Sequence, residues 1–288
     1  MNNCFVTKIT DSIPNDATHN PMLHKINEFV IKAKPLAIGK ISIPSISSTN
    51  SIITIDVLGK GTLHSNKDSK NNNESFTVDS LDDLYLKVSD VDNVNRIAYN
   101  LPQGASNVVI FDINTLRSCL NLNYLSSNNS NVTGDISSLS ELTNITYLST
   151  QNTDITGNIG SLSELTNLTT LSFTNGKSIT GDISSLSELT NLTTLQINST
   201  GITGDINTLA KLTQLTSVNT SNCALSGTIE SLANEIAKAK VAHVLKIWTL
   251  GASDSKCTIT YNGNKAVKRV WTITFAADGT YTVENTDS

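Results

Sequence analysis

Chemically specialised residues are what this 288-residue chain has least of, and each shortage removes a class of function. It has four histidines, His19, His24, His64 and His243, none beside a paired carboxylate, in HExxH spacing or next to a nucleophile motif. No glycine-rich phosphate loop follows a strand pattern. Lys and Arg number 20 against 25 Asp and Glu, a net charge of -5, and they are scattered, so the concentrated basic patch of a nucleic-acid binder is missing. The four cysteines, Cys4, Cys119, Cys223 and Cys257, lack CxxC spacing, which argues for buried thiols rather than a zinc site or disulfide framework. No run reaches the roughly 18 apolar residues of a membrane span. The start, "MNNCFVTKITDSIPNDATHNPM", has no basic segment leading into an apolar one, so no secretory signal or lipoprotein attachment at Cys4 is expected. Asp90 and Asp92 suggest a calcium loop, but Val94, Asn95 and Leu101 stand where its ligand, glycine and carboxylate belong. No metal and no cofactor is expected.

What the chain has in quantity is repetition. "TGDISSLSELTNITYL" from Thr133, "TGNIGSLSELTNLTTL" from Thr156 and "TGDISSLSELTNLTTL" from Thr180 are near copies. The recurring Gly134, Gly157, Gly181, Gly204 and Gly227 lie 23, 24, 23 and 23 residues apart. In register, the copies place apolar residues in fixed columns, for example Leu148, Leu171, Leu195 and Val218, or Ile155, Ile179, Ile202 and Leu225. A degenerate first copy adds Leu116, Cys119, Leu122, Leu125 and Val132. The columns read LxxLxxLxLxx(N)xLxGxI, which resembles the leucine-rich-repeat family over about residues 107–236, in its subclass with an LxGxI second half-turn. The resemblance implies a solenoid with one short parallel strand per coil near Tyr124, Tyr147, Thr170, Thr194 and Ser217. Five coils make a face only about 20–25 Å long. At the family's Asn column the chain has Ser130, Thr153, Thr200 and Cys223, and an insertion around Asn175 to Ser178 blurs the third copy.

In such folds function sits on the solvent side of the inner sheet. The positions there are Tyr124, Ser126 and Asn128; Tyr147, Ser149 and Gln151; Thr170, Ser172 and Thr174; Thr194, Gln196 and Asn198; Ser217, Asn219 and Ser221. The candidate contact residues are Tyr124, Asn128, Tyr147, Gln151, Thr170, Thr194, Gln196, Asn198 and Asn219. None carries a charge, so the face cannot do acid–base chemistry near neutral pH. It can hydrogen-bond a sugar or a protein and stack it on Tyr124 and Tyr147, weakly and with little dependence on salt. The plainer reading is a soluble β face that binds nothing.

The flanks read as two further units, making the chain a β-rich, α+β multidomain protein. Residues 1–106 alternate through Phe29 and Ile31, Ile53, Ile55 and Val57, and Leu84, Leu86 and Val88, the period of half-buried strands. The polar stretch His64 to Ser75 between them reads as a loop. After the repeats, "ESLANEIAKAKVAH" places Leu232, Ile236 and Ala239 on one helical face that caps the solenoid. Residues 237–288 then form a small β unit, with Cys257, Ile259 and Tyr261 on one strand. Trp271, Ile273 and Phe275 lie on the next, followed by a turn at Asp278-Gly279 and a return through Tyr281 and Val283. Trp248 and Trp271 are expected in the core. Sequons such as those at Asn144 and Asn167 follow from the LTNLT repeat itself.

Together with the repeats, the "MNNCFVTKI" start and the "TYNG" and "ITFAADGTYTVEN" strands resemble leucine-rich-repeat proteins of gut Bacteroidales bacteria and their crAss-like phages. That resemblance implies a non-enzymatic virion component, such as a head fibre, capsid decoration or tail-associated protein. Its partners would be other virion proteins, copies of itself, or a host surface glycan or protein, with the N-terminal unit as the attachment. A bacterial cytoplasmic interaction protein is the alternative. A polysaccharide-active enzyme is the remote one, because its paired carboxylates would have to come from outside the inner face.

Overall fold

The computed structural model describes residues 28–35, 39–43, 45–47, 53–57, 61–65, 74–78, 84–89, 94–101, 109–240, 242–249, 260–261, 264–265 and 269–287. A parallel ladder runs through the repeats, one strand per coil: Tyr124–Asn128, Tyr147–Gln151, Thr170–Ser172, Thr194–Gln196 and Ser217–Asn219. Leu125, Leu148, Leu171, Leu195 and Val218 stand opposite one another in it. Each is fully buried, because the strand turns every second side chain into the coil. Burying one such leucine contributes about 1.5–3 kcal/mol, yet no coil can do it alone, so the stacking is obligatory.

Each coil closes by a route the periodicity did not reveal. A second parallel ladder, Val109–Asp112, Val132–Asp135, Asp154–Asn158, Ile179–Asp182, Gly201–Asp205 and Ala224–Ser226, forms from the LxGxI half. It leads into one turn of 3-10 helix per coil, as at Ile136–Leu139 and Ile183–Leu186. The residue before each turn, Asp112, Asp135, Asn158, Asp182 or Asp205, accepts the backbone N–H two positions on at 2.8–2.9 Å. That cap satisfies a donor the turn leaves open. The recurring glycines have φ of 110–127°, a region closed to side chains, and a methyl group at Gly204 would lie 2.6 Å from Oδ1 of Asp182 one coil earlier. The glycine therefore recurs because coils approach backbone to side chain at that point.

Strands from outside the repeats join both ladders. Arg96–Ala98 extends the inner ladder at one end, parallel to Tyr124–Asn128, and Ser45–Ser47 closes it antiparallel. Glu28–Pro35 pairs with Val109–Asp112 and carries Leu84–Ser89, Ile53–Val57 and Gly61–Ser65 in one continuous sheet. At the other end His243–Thr249 adds a parallel strand, followed antiparallel by Arg269–Phe275 and Tyr281–Asp287. These additions hide the open ends of the leucine stack. The helix Ile229–Ala237 buries Leu232 and Ile236 as its pattern predicts, but Ala239 lies beyond the helix and is exposed. The expected strands through Phe29, Ile55, Leu86 and Trp271 form, and Trp271 is buried. The loop reading of His64 to Ser75 is trimmed, since strands Gly61–Ser65 and Glu74–Val78 take its two ends. Residues 66–73, Asp90, Asp92, Cys4, Cys257 and Ile259 lie outside the described residues.

Candidate functional site

The nine candidate residues share the solvent side of the inner ladder, each half-buried. Their neighbours Ser126, Ser149, Ser172 and Ser221 do not face solvent as expected; all four are buried, at 8% exposure or less. For Ser126, Ser149 and Ser172 the reason is a network of hydrogen bonds that runs across the coils. Asn100 Oδ1 accepts from the Asn128 backbone N–H and from Ser126 Oγ. One coil on, Asn128 Oδ1 accepts from the Gln151 N–H at 3.2 Å and from Ser149 Oγ at 3.1 Å. Gln151 Nε2 then donates to Ser172 Oγ, Gln196 Nε2 to Ser217 Oγ, and Thr174 Oγ1 to Asn198 Oδ1. The longer side chains lie over the serines and hold them from water. Much of the face's polarity is thus spent on inter-coil cohesion, while the hydroxyls of Thr170 and Thr194 carry no side-chain hydrogen bond among the described residues.

Tyr124 and Tyr147 stack on each other, with ring centroids 4.4 Å apart and planes within 6° of parallel. The guanidinium of Arg96 covers the other face of this pair, its Cζ 3.4 Å from the Tyr124 centroid. Such a cation over an electron-rich ring is favourable by about 0.5–2 kcal/mol. Burial, reinforced by its Tyr124 neighbour, pushes the Tyr147 phenol above its ordinary value, so the ring is neutral in ordinary conditions.

Arg96 is the residue that sequence reasoning missed. It pairs with Tyr124 in the ladder but lies off the 23-residue period, so no alignment of copies reaches it. At the opposite end Lys246 pairs with Ser217 and is exposed. The fifteen repeat positions are uncharged, as read, but the row they belong to is longer: Arg96, Tyr124, Tyr147, Thr170, Thr194, Ser217 and Lys246. A signal for both additions existed in the flanking "NRIAYN" and "HVLKIWT", where a strand-like apolar residue follows the cation.

At the family's Asn column Thr200 and Cys223 are buried and serve the turn's backbone as expected, Thr200 Oγ1 donating to Ile197 O at 2.7 Å and Cys223 Sγ to the same carbonyl at 2.9 Å. Asn129, Asn152, Asn175, Ser199 and Asn222, one residue before the expected column, have φ of 53–61°. Asn175 is in register, so the insertion is absorbed after it, in a turn where the Gly176 N–H donates to Phe173 O. Among the described residues no group of three His, Cys, Asp or Glu could hold a metal ion, and no helix is long and apolar enough to cross a membrane.

No protein-family model and no curated protein matches the sequence. Similar solved structures include the leucine-rich-repeat ectodomain of the receptor kinase GASSHO1/SCHENGEN3 from Arabidopsis thaliana, in complex with CASPARIAN STRIP INTEGRITY FACTOR 2. The identity is 24% and the TM-score 0.38, over 48% of this chain and 16% of that one. PEPR1–AtPEP1 is similar at 24% identity and TM-score 0.44, over 60% of this chain and 22% of that one. Internalin C2 from Listeria monocytogenes is similar at 21% identity and TM-score 0.31, over 51% and 79%. The chain thus spans less than a quarter of the first two of these chains. The two parallel ladders, one strand of each per coil, fit a leucine-rich-repeat solenoid in a β-rich protein.

Proposed function

We propose that the chain is a non-enzymatic binding protein that holds a protein or glycan against the inner ladder face. The observation that carries this reading is the face itself, a continuous row of hydroxyl, amide and stacked phenol groups. Groups of that kind bind by hydrogen bonding and stacking and supply no titrating acid or base near neutral pH. Neutral hydrogen bonds contribute only about 0.5–1.5 kcal/mol each, so a single copy binds weakly and several copies displayed together bind usefully.

The setting we propose is a virion, with residues 1–106 attaching the protein to the particle or to other copies. Support for this setting is the sequence resemblance to proteins of crAss-like phages. Two measurements test the reading. Glycan and peptide arrays probed with the wild type, Tyr147→Ala and Gln196→Ala should show a partner whose signal both substitutions reduce. Mass spectrometry of purified virions should detect the chain. A partner that ignores both substitutions would move the binding site off the inner face.

A further inference from the structure

We infer that the inner face takes an anionic oligosaccharide, seated against the open side of the Tyr147 ring with its acidic groups directed towards Lys246. The inference rests on the inner face being the contact surface and specifies what it contacts. Tyr147 is the last aromatic in its row. Tyr124 and Arg96 occupy one side of it, while the register places Thr170, Thr194 and Ser217 on the other. A ring standing up from a sheet beside three short side chains forms a wall with a shelf in front of it. The shelf ends at Lys246, four strand spacings or about 19 Å away.

The chemistry of wall, floor and end selects the occupant. The face of a phenol ring is electron-rich, and Arg96 is already stacked on the far member of the pair, so the open face suits the polarised C–H face of a pyranose. The floor offers the hydroxyls of Thr170 and Thr194, and the amide atoms not used between or within coils, Gln196 Oε1, Asn198 Nδ2 and Asn219 Nδ2, which match a ligand bearing many hydroxyls. Between Tyr147 and Lys246 the row carries Thr170, Thr194 and Ser217 and no large apolar side chain. A peptide would lack the buried anchor on which peptide and protein recognition depends. Lys246 supplies a cation on a chain of net charge -5, and Glu284, two strands beyond it in the same row past Thr272, turns acidic groups back towards the shelf.

Isothermal titration of the full chain with tetragalacturonate, with its methyl ester and with hexaglutamate tests this. The acid should bind about tenfold more tightly than the ester at low salt, and Lys246→Gln or about 0.5 M salt should remove most of that difference. Tyr147→Ala should weaken both sugars several-fold, while Tyr147→Phe, which keeps the ring, should retain binding. Equal binding of acid and ester, no binding of either, or hexaglutamate binding as tightly as the sugar would overturn the inference. If the arrays yield a neutral or peptide partner that Tyr147→Ala and Gln196→Ala still weaken, the contact-surface reading stands and this inference alone fails. If tetragalacturonate binds but neither inner-face substitution matters, both fall.

Discussion

Asn152 donates from Nδ2 to Oδ1 of Asn129 one coil earlier, at 2.6 Å, and both residues hold a φ of 53°. Asn175 repeats the bond to Asn152 at the same distance, so a ladder of amides runs along a corner where each backbone turns left-handed. Asparagine tolerates that conformation better than other residues with a side chain, and its amide supplies both donor and acceptor. Replacing Asn152 with Val should lower unfolding stability by about 2 kcal/mol, and replacing it with Gly by less than half of that. Urea melts giving equal losses would mean that the ladder, not the backbone, sets the requirement.

The buried leucine column makes a second prediction. Leu195 is fully buried between Leu171 and Val218, so Leu195→Ala should cost about 2–5 kcal/mol. A loss below about half a kcal/mol in denaturant would contradict the register.

At Gly204, where φ is 111°, an alanine methyl would meet Asp182 Oδ1 at 2.6 Å and its Cγ at 2.9 Å. Gly204→Ala should destabilise by about 1–3 kcal/mol through strain alone. Thermal melting that leaves the midpoint unchanged would show that the coils move apart at no cost.

Cys119 is fully buried, and burial pushes its thiol from the ordinary 9.0 up to about 12; burial raises Cys223 as well. Both should resist iodoacetamide at pH 8 in the native protein and react after unfolding, as peptide mapping would show. The sign of the pH dependence follows. A raised folded value gives stability that is complete below about pH 9 and is lost as pH climbs towards 12, because the unfolded thiol ionises first. Stability rising over that window would be the contrary result.

Among the described residues the Thr220 hydroxyl has no partner, and it has no exposure. An apolar residue of the same shape removes that cost, so Thr220→Val should leave stability equal or raise it by about 1 kcal/mol. A lower melting midpoint by calorimetry would point to a hydrogen-bonded water at the site.

The period, the leucine columns and the place of each inner strand could be read from the sequence because one repeat is one coil. Leu148, Leu171 and Leu195 recur at the spacing that returns the chain to the same face, and a side chain that must be buried leaves the same mark each time. What the order of residues could not show was anything set by contact between chain segments off that period. The second ladder depends on how far each LxGxI segment lies from its neighbour. The burial of Ser126 and Ser149 depends on which amide folds over them. The cations Arg96 and Lys246 join the face only because flanking strands complete the ladder's hydrogen bonds and cover its ends. Local periodicity determined the coil, since burial acts on each residue in turn. Tertiary pairing decided the charge and accessibility of the surface, since strand edges recruit whatever segments lie free to satisfy them.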